Sequence, residues 1–220
     1  MFVKVAVCLI SICISTVSLA GDFVKTVQGK ELKIPNLPSF VPACEVDQEY
    51  KDFYINLFDA AGSDDMELIT CFADEDDVRL QFLLLSGSIE KGGGHKLFEE
   101  TAKLFSRNAV DPYKDKNHVK KFNSIAKENF GVSVQIDFKT VGKGIVWAKE
   151  KDLVGINVTK SIGAKGRSVL SNDTAALLYL DGRIYMVSSQ QDVGPKTEEN
   201  FIKIKSWIRK LLNENKEKIK

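Results

Sequence analysis

TAALLYLDGRIYMVSS, Thr174 to Ser189, is the stretch that decides the fold. Two apolar runs flank the dipeptide Asp181-Gly182. Asp-Gly between such runs is typical of a two-residue β-hairpin, because both residues of that turn need a positive φ. The stretch therefore predicts two antiparallel strands. Since an isolated hairpin is marginal in water, further strands or helices must pack beside it.

Sequence periodicity predicts more strands around this hairpin. The segment VSVQIDF, residues 132–138, alternates strictly between apolar and polar side chains, which is typical of a strand with one buried face. MELITCFA and DVRLQFLLL are apolar on both faces, which favours sheet positions covered on both sides. These two segments are residues 66–73 and 77–85, and the remaining predicted strands are two short pieces around Gly29, within 24–35, and the segments 144–150 and 153–160.

Four segments have apolar residues at helical spacing. The first, DQEYKDFYINLFDAAG, begins at Asp47, whose side chain suits an N-cap. The last begins at Thr197, which is predicted to cap it, with Glu198 and Glu199 in its first turn. Its predicted buried stripe is Phe201, Ile204, Trp207, Ile208 and Leu211. The apolar faces of the two middle helices are Leu97, Phe98, Thr101, Leu104 and Phe105, then Val119, Phe122, Ile125 and Ala126.

Hairpins dominate the C-terminal half, and strands do not alternate regularly with helices. This pattern predicts an α+β fold, a mainly antiparallel sheet with helices packed on it in a layered sandwich, rather than a doubly wound parallel fold. No linker or internal repeat divides the chain, so residues 21–220 are predicted to form a single domain.

The order of these elements resembles the PsbP/Mog1-like sandwiches. GKELKIPNLPSFVPA looks like their opening hairpin and Pro-rich turn, and TAALLYLDGRIYMVSS followed by FIKIKSWIRKLL looks like their last hairpin and long closing helix. The chain is also similar to uncharacterised bacterial periplasmic proteins of this size. The resemblance implies an α/β/α-layered sandwich used for binding and assembly, and it carries over no particular binding residue.

The first residues predict export. MFVKVAVCLISICISTVSLAG has one early charge, Lys4, then an apolar run, then Ser18 and Ala20 at the positions that precede a signal cleavage site. Residues 1–20 are therefore predicted to be a signal peptide cut before Gly21. Because no second apolar run approaches spanning length, we expect a periplasmic or secreted protein with no transmembrane segment after processing.

The charge balance limits the partners. The chain has 31 Lys and Arg against 30 Asp and Glu, and removal of Lys4 with the signal leaves it formally neutral. Nucleic-acid binding requires clustered positive charge that neutralises phosphates, so no nucleic-acid partner is expected. The predicted partner is another exported protein or a small ligand.

Export gives the remaining cysteines a role. Only Cys44 and Cys71 survive processing, and an even pair in an oxidising compartment predicts a disulfide. The alternative is two separate buried thiols. Neither cysteine has a nearby His that would make it a catalytic nucleophile. The sequons at Asn157 and Asn172 are glycosylation acceptors only if the host is a eukaryote.

The glycines of LQFLLLSGSIEKGGGHKLFEE, Leu80 to Glu100, lie where a phosphate-binding loop would. That loop requires a Gly, four intervening residues, and then Gly-Lys-Ser or Gly-Lys-Thr. Counted from Gly87, the second Gly is Gly92, and Gly93 stands where the Lys should be. A simple turn is therefore predicted, with an anion held by backbone amides at the helix start as the alternative. The residues of that candidate anion site are Gly92, Gly93, Gly94, His95 and Lys96.

Catalytic motifs are weak. His95 and Glu99 would share a helix face, but the chain has two histidines in all, so no metal and no cofactor are expected. The nucleophile elbow G-x-S-x-G does not occur. The sequence therefore favours a non-catalytic binding, protein-interaction or assembly domain. The alternative is an exported hydrolase with an unrecognised active site; buried carboxylates in a cleft would favour the enzyme, and an exposed apolar patch would favour the protein partner.

Overall fold

The computed structural model describes residues 21–60, 66–74, 78–85, 94–108, 123–124, 136–142, 144–164 and 167–216. Within these ranges the chain forms nine strands and four helices. The strands are β1 (Phe23–Val27), β2 (Lys30–Ile34), β3 (Met66–Ala73), β4 (Arg79–Leu85), β5 (Ile136–Thr140), β6 (Ile145–Glu150), β7 (Leu153–Ala164), β8 (Arg167–Leu180) and β9 (Arg183–Asp192). The helices are α1 (Ala43–Val46), α2 (Gln48–Ala60), α3 (His95–Asn108) and α4 (Thr197–Asn215).

The described strands form a seven-stranded sheet and a separate hairpin of β1 and β2. The sheet order is β3-β4-β9-β8-β7-β5, and β6 also pairs with β7, so β5 and β6 follow one another along the same edge. Every pairing is antiparallel. The predicted α+β fold with a mainly antiparallel sheet is therefore confirmed.

The central hairpin forms where the sequence predicts it. β8 and β9 pair from Ser171–Asp192 to Leu180–Arg183. Asp181 and Gly182 have φ values of 48° and 77°, as the primed hairpin turns require. β8 is longer than the predicted segment and runs the full length of β7, because it pairs with β7 from Arg167 onward and with β9 from Ser171 onward.

Helices cover both faces of the sheet. Helix α4 and the β1–β2 hairpin bury one face, which we call the α4 face. Trp207 of α4 packs edge-on against Phe72 and Phe82, with ring centroids 5.4 and 6.3 Å apart. On the opposite face, Phe98 and Ala102 of α3 pack on β7–β9. Helices α1 and α2 flank β3 on that side.

The β1–β2 hairpin is tied to the sheet by side chains from distant parts of the chain. The Trp207 indole N–H donates to the Pro35 carbonyl at 2.6 Å. The Arg183 guanidinium donates to the carbonyl oxygens of Val27 and Gln28 at 2.7 and 3.0 Å. The Asn215 side chain bonds both the N–H and the C=O of Lys33. These contacts place the N-terminal hairpin over the same core as α4.

Helix α4 departs from the predicted details in two respects. Thr197 is its first helical residue and makes no capping hydrogen bond to the helix, because its hydroxyl accepts the N–H of Gly194 in the preceding loop. Phe201 is only partly buried, since it lies at the flank of α4 beside Trp147. The buried residues of α4 are Asn200, Ile204, Trp207, Ile208, Leu211 and Leu212.

The predicted disulfide is present between Cys44 of α1 and Cys71 of β3, with Cα atoms 5.2 Å apart. Both residues are buried beside Tyr54. The bridge closes a loop of 27 residues, which in the chain-entropy model contributes about 3 kcal/mol to the free energy of unfolding. It thus anchors the two helices α1 and α2 to β3.

The phenol of Tyr185 leads to a testable prediction. Its side chain is fully buried, 5.4 Å from the Phe82 ring, and its hydroxyl has no hydrogen-bond partner among the described residues. Burial raises the pKa of the Tyr185 hydroxyl above its usual 10.0, and nearby Arg183 opposes the shift. Because the unfolded chain then ionises at lower pH than the folded one, the free energy of unfolding should fall as the pH rises above about 10.

Tyr185→Phe should remove this alkaline loss and leave the free energy of unfolding at pH 7 unchanged or about 1 kcal/mol higher. Urea unfolding of both proteins at neutral and alkaline pH measures the difference. If the variant is clearly less stable at pH 7, the hydroxyl has a partner and the prediction is wrong.

Candidate functional site

The predicted anion site is only partly visible. Gly92 and Gly93 lie outside the described residues, whereas Gly94 is exposed and directly precedes α3. The His95 ring is already engaged at both nitrogens. Its Nδ1 lies 3.3 Å from a Glu99 carboxylate oxygen, and its Nε2 lies 2.9 Å from the Lys151 carbonyl.

The surroundings of His95 are acidic and aromatic. A carboxylate oxygen of Asp152 lies 3.4 Å from Nε2. The ring packs edge-on against Tyr179 and lies beside Phe98, with centroids 5.1 and 5.7 Å away. His95 therefore joins the start of α3 to the turn between β6 and β7. The anion site at Gly92, Gly93, Gly94, His95 and Lys96 stays a prediction.

The described residues hold no metal site. Within the described ranges, no three His, Cys, Asp or Glu side chains are placed to bind one ion. His95 and Glu99 do share a face of α3, as predicted. The further ligands that the sequence suggested, Asp111, Asp115 and His118, lie outside those ranges.

One cavity lies at the start of α4. It has a volume of about 250 Å³. Its buried amides, Gln191 and Asn200, already bond to each other at 3.1 Å. Its one lining carboxylate, Asp192, is exposed. The cavity therefore lacks the buried acid–base pair by which we would recognise a hydrolase. Its lining residues are Val78, Gln191, Asp192, Gly194, Pro195, Lys196, Thr197 and Asn200.

A more distinctive feature is the far end of the α4 face. Residues that pair directly across antiparallel strands lie on the same face, so the strand registers place its residues in rows. Val193, Leu170, Ser161 and Lys139 form one row; Gln191, Asn172, Thr159 and Val141 form the next; and Ser189, Thr174, Asn157 and Ile145 form the third. These rows lie beyond the core that Trp207 organises.

Four apolar side chains of these rows are exposed. Ile145, Leu170, Val193 and Val141 have 59%, 46%, 44% and 43% of their surface in contact with solvent. We call these four residues the open end. These four side chains surround a polar floor, of which Asn157, Asn172, Thr174, Ser189 and Gln191 are at most 9% exposed. Thr197 and Asn200 in the first turn of α4 bond Gln191. The open end is thus a set of exposed apolar side chains around a buried polar floor.

The floor of the open end is polar and made by the two sequons. In the strand register, Asn157 faces Thr174 and Thr159 faces Asn172, so each N-x-T tripeptide pairs with the other. The two amides bond reciprocally at 2.8 and 3.0 Å, and each also donates to the opposite threonine, at 2.8 and 3.3 Å.

The hydrogen bonds of this amide pair bear on whether the two sequons can carry glycans in the folded chain. All four N–H bonds of the amides of Asn157 and Asn172 are used, and both residues are at least nine-tenths buried. A glycan on either nitrogen would break the pairing. In the folded chain the sequons therefore serve as a cross-strand polar contact rather than as glycosylation sites.

An aromatic flank adjoins the open end. Trp147 of β6 lies over Gly155, where a Cβ atom would be 2.2 Å from the indole, so only Gly fits. The Trp147 N–H donates to the Ile156 carbonyl at 3.0 Å. Its ring meets Phe201 edge-on at 6.4 Å, and the Lys205 ammonium lies 4.0 Å from the Phe201 centroid. This aromatic flank therefore borders the open end with two partly buried rings, Trp147 and Phe201, and the Lys205 cation.

Sequence reasoning missed this surface. Its apolar residues belong to the same alternating pattern as the core, and nothing in that pattern tells an exposed position from a covered one. The only available signals were polar residues in phase with the core side of two strands, Asn157 and Thr159 in one and Asn172 and Thr174 in the other. Polar residues in phase with the core mark where the apolar packing ends.

The amide pair yields a quantitative prediction. Asn172→Asp replaces two donated hydrogen bonds with a buried carboxylate that faces the Asn157 oxygen, so it should lower the free energy of unfolding by about 2 kcal/mol or more. Gln190→Glu is the matched control, because Gln190 is exposed on the other face of the same sheet; it should change stability by less than about 0.5 kcal/mol. Chemical denaturation measures both, and equal effects would contradict the proposed role of the pair.

No protein-family model and no curated protein matches the chain. Among solved structures, it is similar to the Ran-binding protein Mog1p of Saccharomyces cerevisiae, with a TM-score of 0.34 and 11% identity over 89% of this chain and 92% of that one. It is also similar to cyanobacterial PsbP of Synechocystis sp. PCC 6803, with a TM-score of 0.34 and 11% identity over 91% and 94% of the two chains.

Proposed function

We propose that this chain is an exported, non-catalytic protein-interaction domain that binds its partner at the open end. The observation that carries the proposal is the exposure of four large apolar side chains, Val141, Ile145, Leu170 and Val193, on one sheet face. Soluble proteins bury such faces unless a partner covers them, and contiguous exposed apolar patches mark interaction sites.

The chemistry of the surface suits a protein partner. Its polar floor is satisfied by its own amide and hydroxyl groups, so a partner need not supply hydrogen bonds there. Trp147 and Phe201 lie at its margin, and aromatic residues are enriched among those that dominate binding energy. Ile145 and Leu170 lie in paired strands, and Val141 and Val193 lie one residue beyond the ends of β5 and β9.

The case for export combines sequence and structure. Residues 1–20 have the order of a cleaved signal. The Cys44–Cys71 disulfide is typical of proteins that fold in an oxidising compartment. No described helix has the length and apolar character needed to cross a bilayer.

Export predicts a defined mature end. Mass spectrometry of the protein from its native compartment should find Gly21 as the first residue, because Ser18 and Ala20 meet the requirement for small residues before the cut. A chain that retains Met1, or that carries a lipid on Cys8 or Cys13, would contradict this prediction.

Docking at the open end predicts a site-specific contact. A photocrosslinking phenylalanine analogue in place of Leu170, in protein produced in its native compartment, should form a discrete adduct with another protein. Adding Ile145→Asp should abolish the adduct, because it places a carboxylate in the apolar contact while leaving an exposed position exposed. Thermal unfolding should show that the fold is unchanged.

The matched control uses α3. Leu104 has the same 59% exposure as Ile145 but belongs to the helix on the opposite face of the sheet. The analogue at Leu104 should give no such adduct, and Leu104→Asp should leave the adduct at Leu170 intact. Adducts of equal yield at both positions, or an adduct that survives Ile145→Asp, would refute docking at the open end.

A further inference from the structure

We infer that a segment of the partner protein adds to the sheet as an extended strand beside the start of β8. This rests on the proposed function and specifies how the partner reaches Leu170 and Val193 of the open end. The observation that carries the inference is a step in the sheet, where β8 continues beyond the end of its pairing with β9.

The step follows from the two registers of β8. On one side, β8 pairs with β7 as far as Arg167, which lies opposite Ala164. On the other side, its pairing with β9 ends at Ser171, which lies opposite Asp192. Residues 167–170 of β8 therefore have β7 along one edge and no described strand along the other.

The open edge of this segment presents backbone groups in strand geometry. The Val193 N–H donates to the Leu170 carbonyl at 2.9 Å. Since the N–H and C=O of alternate strand residues point to the same side, Leu170 and Ser168 direct their backbone groups away from β7. Were β9 to continue in register, Pro195 would face Ser168, and proline has no N–H to donate. Among the described residues, the Leu170 N–H and both backbone groups of Ser168 therefore have no partner on this edge.

Apolar side chains flank these backbone groups on both faces of the sheet. Leu170 is 46% exposed on the α4 face, next to Val193. Val169 is 54% exposed and projects from the opposite face, because successive strand residues alternate. An added strand would thus bury apolar surface on both of its faces. We therefore expect the partner segment to be extended and to carry consecutive apolar residues.

The other edges of the seven-stranded sheet are protected against such pairing. Residues 70–72 of β3 are at most 1% exposed, since the disulfide holds α1 against that strand. On the opposite edge, β6 has a register shift between Val146 and Ala148. Lys139 of β5 and Lys149 of β6 are exposed there. Bulges and edge lysines oppose strand addition, and the step at the start of β8 has neither.

A different protein is favoured over a second copy of this chain. Two copies that paired through their own Ser168 edges would be related by a twofold axis. That symmetry would bring both Arg167 side chains to one face of a short contact, diagonally across the pair and within reach of each other. Like charges in that arrangement destabilise it, whereas another protein need not bring an arginine there.

Proline at the open edge tests for backbone pairing. Ser168→Pro removes the outward N–H, and proline is tolerated in a strand where its N–H would face solvent. With the crosslinking analogue at Leu170, in protein produced in its native compartment, Ser168→Pro should lower the yield of adduct by about tenfold or more. Ser168→Ala, which keeps the N–H, should leave the yield unchanged.

Val24→Pro is the matched control. The Asn215 side chain bonds the N–H and the C=O of Lys33 on the side of β2 away from β1. Lys33 pairs with Val24, so the Val24 N–H also points out of the hairpin. Val24→Pro therefore removes an outward N–H at an exposed position away from the open end, and the adduct should persist. Thermal unfolding should show that each variant keeps the fold.

Amide hydrogen exchange gives a second measurement that needs no proline. In the purified adduct, the N–H groups of residues 168 and 170 should exchange about tenfold or more slowly than in the uncrosslinked chain, because both become hydrogen-bonded. The exchange of the Val24 N–H should not change. Nuclear magnetic resonance resolves these positions one by one.

Each other outcome overturns the inference. These outcomes are an adduct that persists in Ser168→Pro, an adduct lost in Ser168→Ala or Val24→Pro, unprotected N–H groups at residues 168 and 170, or an adduct of twice the mass of the chain. The two proposals fail separately. If the adduct depends on Ile145 but not on the Ser168 N–H, the partner docks on the open end through side chains alone. If the adduct survives Ile145→Asp, docking at the open end is itself refuted.

Discussion

The packing of Trp207 is the contact on which the rest of the structure depends. Its ring fits edge-on between Phe72 of β3 and Phe82 of β4, while its N–H is bound to the Pro35 carbonyl. One side chain thus joins α4, the sheet and the segment that follows the β1–β2 hairpin. This contact lies toward the β3 and β4 side, whereas the first turn of α4 reaches the polar rows through Thr197 and Asn200, which bond Gln191.

The polar rows of the sheet lie beyond the apolar core that Trp207 organises. Where the apolar packing beneath α4 ends, buried positions of the sheet can be polar only if their hydrogen bonds are satisfied. Here Asn157, Thr159, Asn172 and Thr174 take those positions and satisfy one another across the strands. A buried polar network of this kind stabilises only when it is fully satisfied, and its pairwise symmetry fixes the register of β7 against β8.

Two parts of the molecule differ in polarity and exposure: the cavity at the start of α4 and the open end. The cavity at the start of α4 has polar walls whose buried amides are bonded to each other, and it brings no buried carboxylate into reach of a substrate. The open end has four exposed apolar side chains on a rigid floor and an aromatic margin. The cavity therefore shows no buried acid or base, whereas the open end exposes apolar side chains that a protein partner could cover. The proposed function, binding of a partner protein, rests on these exposed side chains.

The sequence by itself determined the local elements and their class. Asp181-Gly182 predicted a hairpin turn, the segment 153–160 was predicted to be a strand, and the spacing from Ile204 to Leu211 predicted a helix with one buried face, because each signal is local and set by backbone geometry. Cys44 and Cys71, the two cysteines outside the predicted signal peptide, were enough to predict their bridge. Tertiary structure alone decided that Thr197 would bond the Gly194 amide instead of capping α4, that two sequons would become one buried pair, and that Ile145 and Leu170 would be exposed while similar residues nearby are core. These outcomes depend on strand register and on how far α4 reaches across the sheet, which are set by contacts between residues far apart in the chain.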